Sequence, residues 1–393
     1  MTTEPSTTDA LTGLFDGLRR WPDVEADNLF AFDATDRLLL DTAHEAIVAA
    51  GPAQVAVIGD NYGALTLGSI AAGASGVRLH QDALTGELAL AANGEAHAGG
   101  FTNHPLDASL LSGATVVLWQ LPRGLDELDE IAEAIARWAA PDVVVYAGGR
   151  IKHLTPTMNP VLIEHFETLD VTHAKQKSRG FVLRGPKPAS TSKYPLTERH
   201  NDLGLTVAAH GAAFAGTGID IGTRLLLSTL RKVNPHARLA IDLGCGTGVL
   251  AAALAAARPE LRVIATDQSA GAVASATATM ELNGLSDRVT VVRDDGLVSQ
   301  PDASADVILL NPPFHIGAVV HTGLAHRLFS DAARVLRPGG ELWTVFNTHL
   351  GYRQALQRIV GPTDLVTHNA KFTVTVSHSP TPGSGRPHAR HED

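Results

Sequence analysis

The stretch Leu239–Leu250, LAIDLGCGTGVL, limits what this chain can fold into more than any other. An apolar run, Leu239 to Ile241, ends at Asp242. Gly244, Gly246 and Gly248 follow in G-x-G-x-G spacing, and an Ala- and Leu-rich helical run continues to about Ala257. The order is strand, tight turn, helix. Glycines at these positions let the backbone turn sharply and let a ligand come close where a Cβ would collide. The helix start beyond them offers unpaired N–H groups. Taken alone, the pattern is a weak signal, because a glycine loop without a ligand has the same letters. Its weight comes from what surrounds it.

The rest of the second half alternates strand and helix. Strands are expected at Leu239–Ile241, Val263–Ala265, Val289–Val292, Val307–Leu310, Leu342–Phe346 and Phe372–Val376, with helices between most of them. Such alternation predicts an α/β fold, a mostly parallel sheet with helices on both faces. In these sheets ligands bind beyond the carboxyl ends of the strands.

The first half repeats the plan. Strands are expected at Val55–Ile58, Val77–Leu79, Thr115–Trp119, Val143–Tyr146 and Phe181–Leu183; helices at Asp33–Ala50, Leu125–Trp138 and Pro160–Phe166. VVLWQLPRG (Val116 to Gly124) lies over VILLNPPFH (Val307 to His315), and VTHAK (Val171 to Lys175) echoes VTHNAK (Val366 to Lys371). Gly63 to Asp82 spans the same 19 positions as Gly248 to Asp267. The halves read as a duplication of long period. They differ where chemistry would sit, DNYG against GCGTG and QLPR against NPPF, so the first half is expected to keep the fold and to have lost the site and the turn.

Five segments follow: an N-terminal extension 1–28, a degenerate first domain 29–184, a linker 185–200, a catalytic domain 201–378 and a disordered tail 379–393. Two domains suit 393 residues. Lys175 to Arg199 holds seven Lys or Arg and one acid. A solvated linker explains that; a strip meeting RNA phosphate is the sharper alternative. The single cysteine, Cys245, excludes a disulfide framework and a cysteine-cluster metal site. The tail histidines His388 and His391, with His378, read as a frayed end, and no metal is expected. No long uncharged apolar run indicates a membrane span, and the polar N-terminus is no signal peptide, which points to the cytoplasm. The net charge of −10 argues against bulk-charge binding to nucleic acid but leaves room for a local basic patch.

Four elements carry chemistry. Asp242 and its glycine turn come first. Asp267, closing the next strand, is placed to accept hydrogen bonds from ribose hydroxyls, although alone it would serve as a helix cap. Asp294 and Asp295 follow Val289–Val292, placed to meet an adenine edge, although an Asp-Asp-Gly is commonly just a turn. Asn311-Pro312-Pro313-Phe314 is the most specific. Two prolines remove two backbone donors and stiffen the loop. The Asn311 side-chain oxygen and the Pro312 carbonyl remain as acceptors suited to an –NH2 group, and Phe314 offers a face on which a base can stack.

These residues resemble the class I S-adenosylmethionine-dependent methyltransferases, in the branch whose N/D-P-P-aromatic loop methylates exocyclic amines. With GAAFAGTGIDIGTRLLL (Gly211 to Leu227), GGELW (Gly339 to Trp343) and Lys371-Phe372, the chain looks like the tandem-domain ribosomal RNA guanine 2-amino methyltransferases. FDATDRLLL (Phe32 to Leu40) and DNYGAL look more like the large-subunit branch than the small-subunit branch. The resemblance implies two tandem Rossmann-like methyltransferase domains, the first degenerate and serving RNA recognition. It implies S-adenosyl-L-methionine as cofactor, with Gly244, Gly246 and Gly248 wrapping its methionine and ribose, Asp242 beneath its amino group, Asp267 on the ribose, and Asp295 or Asp294 at the adenine. Phe214 and the Gly222-Thr223 turn would flank it. The partner implied is ribosomal RNA or a pre-ribosomal particle, met by a monomer whose two halves mimic a dimer.

Two rival readings stand beside this one. Loops of this type also serve DNA adenine or cytosine amines and the glutamine amide of release factors. A non-catalytic RNA-binding assembly factor is the other, against which the intact NPPF loop and glycine turn count.

Overall fold

The computed structural model describes residues 13–312 and 318–381, with side chains from 323 onward in the second stretch. The chain divides into two compact units near residue 196, apart from two short segments, His210–Ala212 and Ser269–Gly271, that group with the first.

In the first unit β1 (Val55–Ile58), β2 (Val77–His80), β3 (Phe101–Asn103), β4 (Val116–Gln120), β5 (Val144–Arg150), β6 (Phe166–Val171) and β7 (Ser178–Pro186) form one sheet of order β3-β2-β1-β4-β5-β7-β6. All pairings are parallel except those of β7, which is antiparallel to β5 and β6. Successive residues face opposite sides, as the pleat requires. Val117 and Trp119 join a core with Leu128, Ile131 and Ile135 of the helix Leu125–Trp138, while Val116 and Leu118 join one with Leu39, Ile47 and Leu65. Burial on both faces explains why β1 reads as an unbroken apolar run, VAVI. The helix Ala34–Ala49 starts where expected because Asp33 and Asp36 form a capping box. The helix expected over Pro160–Phe166 runs instead over Met158–His165, and Phe166 opens a strand.

A two-stranded sheet follows, β8 (Leu196–His200) and β9 (Leu205–Ala209). The segment read as an exposed linker is therefore strand at its end. It is also tied down before that. Tyr194 is buried and its hydroxyl donates to Asp129 Oδ2 at 2.9 Å, the Lys193 ammonium pairs with the same carboxylate, and His165 Nε2 lies 2.8 Å from Asp129 Oδ1.

The second unit holds β10 (Leu239–Leu243), β11 (Arg262–Asp267), β12 (Val289–Arg293), β13 (Ala305–Leu310), β14 (Leu336–Asn347), β15 (Thr363–His368) and β16 (Phe372–His378). Their order is β12-β11-β10-β13-β14-β16-β15, with β16 antiparallel to both its neighbours. This is the first unit's order, strand for strand. Val307 and Leu309 face a core with Leu250, Leu254 and Met280, and Ile308 and Leu310 face one with Phe329, Phe346 and Tyr352. The duplication read from local echoes is thus a duplication of topology, two α/β units of Rossmann-like design. Among the described residues no helix is long and apolar enough to cross a membrane. The tail histidines His388 and His391 lie outside the described residues.

Candidate active site

β12, β11, β10 and β13 are consecutive parallel neighbours, so their carboxyl ends share one edge. Leu243 pairs with both Thr266 and Leu310, and Asp267 pairs with Arg293. Gly244 and Asn311 therefore each stand one residue past the same rung, and Asp294 stands one past the rung that ends in Asp267. The register alone gathers at one edge residues that are far apart in sequence.

Asp242 is buried. Its Oδ2 accepts the Ala251 N–H at 3.0 Å, while Oδ1 is buried with no partner among the described residues. Burial pushes this carboxyl up to about 7, the nearby Asp267 charge adds to the rise, and the Ala251 N–H opposes both. A buried carboxylate oxygen without a donor is costly, and a cationic ligand would supply what it lacks.

Gly244, Gly246 and Gly248 have φ of +71°, +53° and +77°. At Gly244 and Gly246 a Cβ would meet nothing within 4 Å, so the turn borders open space. At Gly248 a Cβ would come to 3.1 Å from Ala276 Cβ, so this glycine lets the helix Val249–Ala257 pack on the helix Ala270–Leu282. The turn is held from β11: Gly244 and Cys245 donate to the Thr266 carbonyl, and Gly246 N–H donates to Asp267 Oδ2 at 2.9 Å.

Asp294 and Asp295, at the end of β12 on the same edge, both have protein partners. Asp294 accepts from Ser299 N at 3.0 Å and Ser299 Oγ at 2.7 Å, closing its own loop. Asp295 is clamped by Arg327, whose two terminal nitrogens take one carboxylate oxygen each, one at 2.9 Å. The physical reason is that both carboxylates are largely buried and so take partners.

Asn311 follows β13, and Pro312 beside it is buried. The rest of the predicted loop, Pro313, Phe314 and His315, lies outside the described residues. Asn311 Nδ2 donates to Thr223 Oγ1 at 3.0 Å and Asp220 Oδ2 at 3.3 Å. Asn311 Oδ1 is buried and has no partner among the described residues. Sequence reasoning missed Asp220. It caps the helix Ile221–Leu227 through the N–H groups of Gly222 and Thr223, and its one signal was its place just ahead of the Gly222-Thr223 turn. Phe214, in the loop before that helix, is 61% exposed.

The first unit shows what the degenerate copy lost. Contrary to expectation it keeps the turn: Gly59, Asn61 and Gly63 have φ of +74°, +61° and +107°, matching the three glycines of the second unit. Asn is among the few residues that accept this region. What changed is the side chains. Asp60 stands where Cys245 stands in the second unit, is buried, and accepts from Leu65 N at 2.7 Å and Thr66 N at 2.8 Å. A Cβ at Gly59 would lie 3.0 Å from the Gln120 carbonyl, where the matching Gly244 borders open space. The ladder also corrects the count of 19. Ile58 pairs with His80 as Leu243 pairs with Thr266, so Gln81, not Asp82, stands at the place of Asp267. A loop one residue shorter hid the shift, and an amide stands where the second unit has a carboxylate.

S-adenosylmethionine carries an ammonium and a sulfonium, ribose hydroxyls and an adenine. The unpartnered Asp242 oxygen, the open face of Gly244 and Gly246 and the carboxylate closing β11 fit that chemistry. Among the described residues no His, Cys, Asp or Glu group could hold a metal ion. A sheet in this order, with an acid and glycine turn after its first strand, is that of the class I S-adenosylmethionine-dependent methyltransferases, and the second unit is one.

Residues 204–376 match the family described as methyltransferase small domain, and residues 8–187 that described as RLMG N-terminal domain. The chain is 35% identical over 362 residues to the ribosomal RNA large subunit methyltransferase G of Pseudomonas aeruginosa, covering 91% of this chain and 96% of that protein. It is 33% identical over 371 residues to the protein of the same name from Streptomyces avermitilis, covering 91% and 95%. The chain belongs to the ribosomal RNA large subunit methyltransferase G family. In fold it is similar to a T. thermophilus 16S rRNA guanine-N2 methyltransferase solved with AdoMet and guanosine, with a TM-score of 0.69 at 22% identity over 86% of this chain and 92% of that one.

Proposed function

We propose that this enzyme transfers the methyl group of S-adenosylmethionine to the exocyclic 2-amino group of a guanine in large-subunit ribosomal RNA. The observation that carries the reading is the buried, unpartnered Oδ1 of Asn311. An orphaned acceptor of this kind costs about 1–3 kcal/mol, and an amine from the substrate would satisfy it.

A guanine amine is a poor nucleophile because its lone pair is delocalised into the ring. Asn311 Oδ1 accepts one of its hydrogens, and the Pro312 carbonyl is the acceptor for the second. Two acceptors draw the nitrogen towards tetrahedral geometry and free its lone pair. S-adenosylmethionine, when bound, would supply an electrophilic methyl whose sulfur leaves with the electron pair, and the amine held by Asn311 and Pro312 would accept that methyl. The amine proton then leaves to water. Alignment of this kind is worth on the order of 7–11 kcal/mol, and the fixed acceptor dipoles stabilise the positive charge growing on nitrogen. The guanine is taken out of its stack, at a cost of a few kcal/mol, with Phe314 proposed as the new stacking face. Gly244, Gly246, Asp242 and Asp267 are proposed to hold the cofactor. Location in the cytoplasm, a monomeric state, and action on naked RNA or on a pre-ribosomal particle belong to the same proposal.

Asn311→Ala tests it. Cofactor affinity by calorimetry should stay within threefold. Methyl transfer to ribosomal RNA from a strain lacking the enzyme, read as N2-methylguanosine by mass spectrometry, should fall about 10²–10³-fold, as for loss of one preorganised polar group. Near-normal transfer overturns the assignment.

A further inference from the structure

We infer that Asp220 and Thr223 are positioning residues that fix which end of the Asn311 amide faces the substrate. The inference rests on the amine-clamp reading above and adds the device on which that clamp depends. An asparagine amide has two nearly isosteric ends, one accepting and one donating. With Oδ1 towards an incoming amine the clamp works. With Nδ2 there, two donors face each other. Something must hold the amide one way round.

The hydrogen-bond inventory shows how. The Asp220 carboxylate has about four lone-pair directions. Oδ1 takes the N–H groups of Gly222 at 2.8 Å and Thr223 at 3.2 Å; Oδ2 takes the Thr223 hydroxyl and Asn311 Nδ2. Thr223 has given its one hydroxyl proton to Asp220, so its oxygen meets Asn311 as an acceptor only, at 3.0 Å. The two acceptors lie side by side before Asn311 Nδ2, so they share one of its hydrogens, and neither can donate back. A flipped amide would set its carbonyl against an acceptor-only carboxylate and an oxygen with no proton left. The orientation follows from proton count rather than from packing.

The first unit carries the same tie in altered letters. Gln120, the last residue of β4, stands at the place where Asn311 follows β13. Its Nε2 donates to Asp36, in the first turn of the helix Ala34–Ala49, as Asn311 donates to Thr223 in the first turn of Ile221–Leu227. An amide at the end of the fourth strand, tied to a helix start ahead of the first strand, is thus built twice.

The test is Asp220→Asn, which keeps a capping side chain but makes the lock symmetric. We expect kcat for ribosomal RNA to fall at least 10-fold, with KM and cofactor Kd within threefold. Thr223→Val, which removes the hydroxyl at nearly constant shape, should lower kcat similarly, and Thr223→Ser should recover it to within threefold of the natural chain. Should Asp220→Asn fail to fold, the Thr223 pair decides. An inactive Asn311→Ala beside fully active Asp220→Asn and Thr223→Val would overturn the lock while leaving the clamp. An active Asn311→Ala would instead overturn the clamp itself. A loss in Asp220→Asn confined to cofactor Kd would assign Asp220 to binding and refute the inference.

Discussion

Gly246 and Gly248 are two residues apart and share the left-handed conformation, yet an alanine should harm them in different ways. At either site the forced left-handed φ costs about 1–2 kcal/mol. At Gly246, with φ +53°, the added methyl meets nothing within 4 Å. Strain is then the whole stability effect, and the methyl intrudes on the space proposed for the cofactor. At Gly248 the methyl would stand 2.8 Å from Met280 Cε and 3.1 Å from Ala276 Cβ. The Met280 methyl can swing aside, but Ala276 moves only with its helix. Overpacking adds about 1–3 kcal/mol, so Gly248→Ala should lose about 2–5 kcal/mol in all. Urea unfolding measures that difference. Calorimetry with S-adenosylmethionine measures the other: Gly246→Ala should weaken binding 10- to 100-fold, or about 1.4–2.8 kcal/mol, and Gly248→Ala by no more than threefold. Equal affinity losses in the two variants, or a greater stability loss at Gly246, would refute the division of roles between ligand space and helix packing.

Two further outcomes follow from the first unit. Burial pushes the Asp60 carboxyl up to about 6, and Asp36 is raised too, by burial first and by the Asp60 charge among lesser causes. A carboxyl raised on folding favours the native state below its unfolded pKa of about 4, and that contribution is lost as pH rises through about 6. Asp60→Asn loses one N–H acceptor at every pH but is spared the buried charge. Its stability relative to the natural chain, from urea titrations between pH 4.5 and 8, should therefore climb to about pH 6 and then level; a flat difference would refute it. Calorimetry should also find one S-adenosylmethionine per chain, removed by Asp267→Ala and kept by Gln81→Ala; two sites would contradict the loss of function assigned to the first copy.

Much of the fold was legible because its parallel strands are buried on both faces and its helices are amphipathic. The helix Leu125–Trp138 was read to the residue, since its acidic start and spaced Leu and Ile residues admit no other period. The unread strands lie at the edges. β3 has three residues, and β6 and β15 carry polar, partly exposed sequences in which alternation is weak. Spacing placed Asp242, Asp267 and Asn311 on one edge, since short parallel strands fix which residues come next. It failed for contacts that span the chain. Arg327 lies 32 residues from Asp295, and Asp220 lies 91 from Asn311, so no local pattern connects them. Spacing misled at Asp82, because the loop ahead of Gln81 is one residue shorter than the loop ahead of Asp267.

The turn at Gly59, Asn61 and Gly63 separates two properties that a glycine motif usually presents together. A mould can outlast its casting. The helix Ala64–Ala71 needs the chain to arrive from β1 along that path, so the backbone shape serves the fold, while Val57, Asn61 and Gln81 stand at the places of Asp242, Gly246 and Asp267. At this edge the copies differ in the side chains they present: Asp242, Cys245 and Asp267 in the second unit stand where Val57, Asp60 and Gln81 stand in the first. Asp60→Cys, Asn61→Gly and Gln81→Asp together ask whether the first copy can be made to bind.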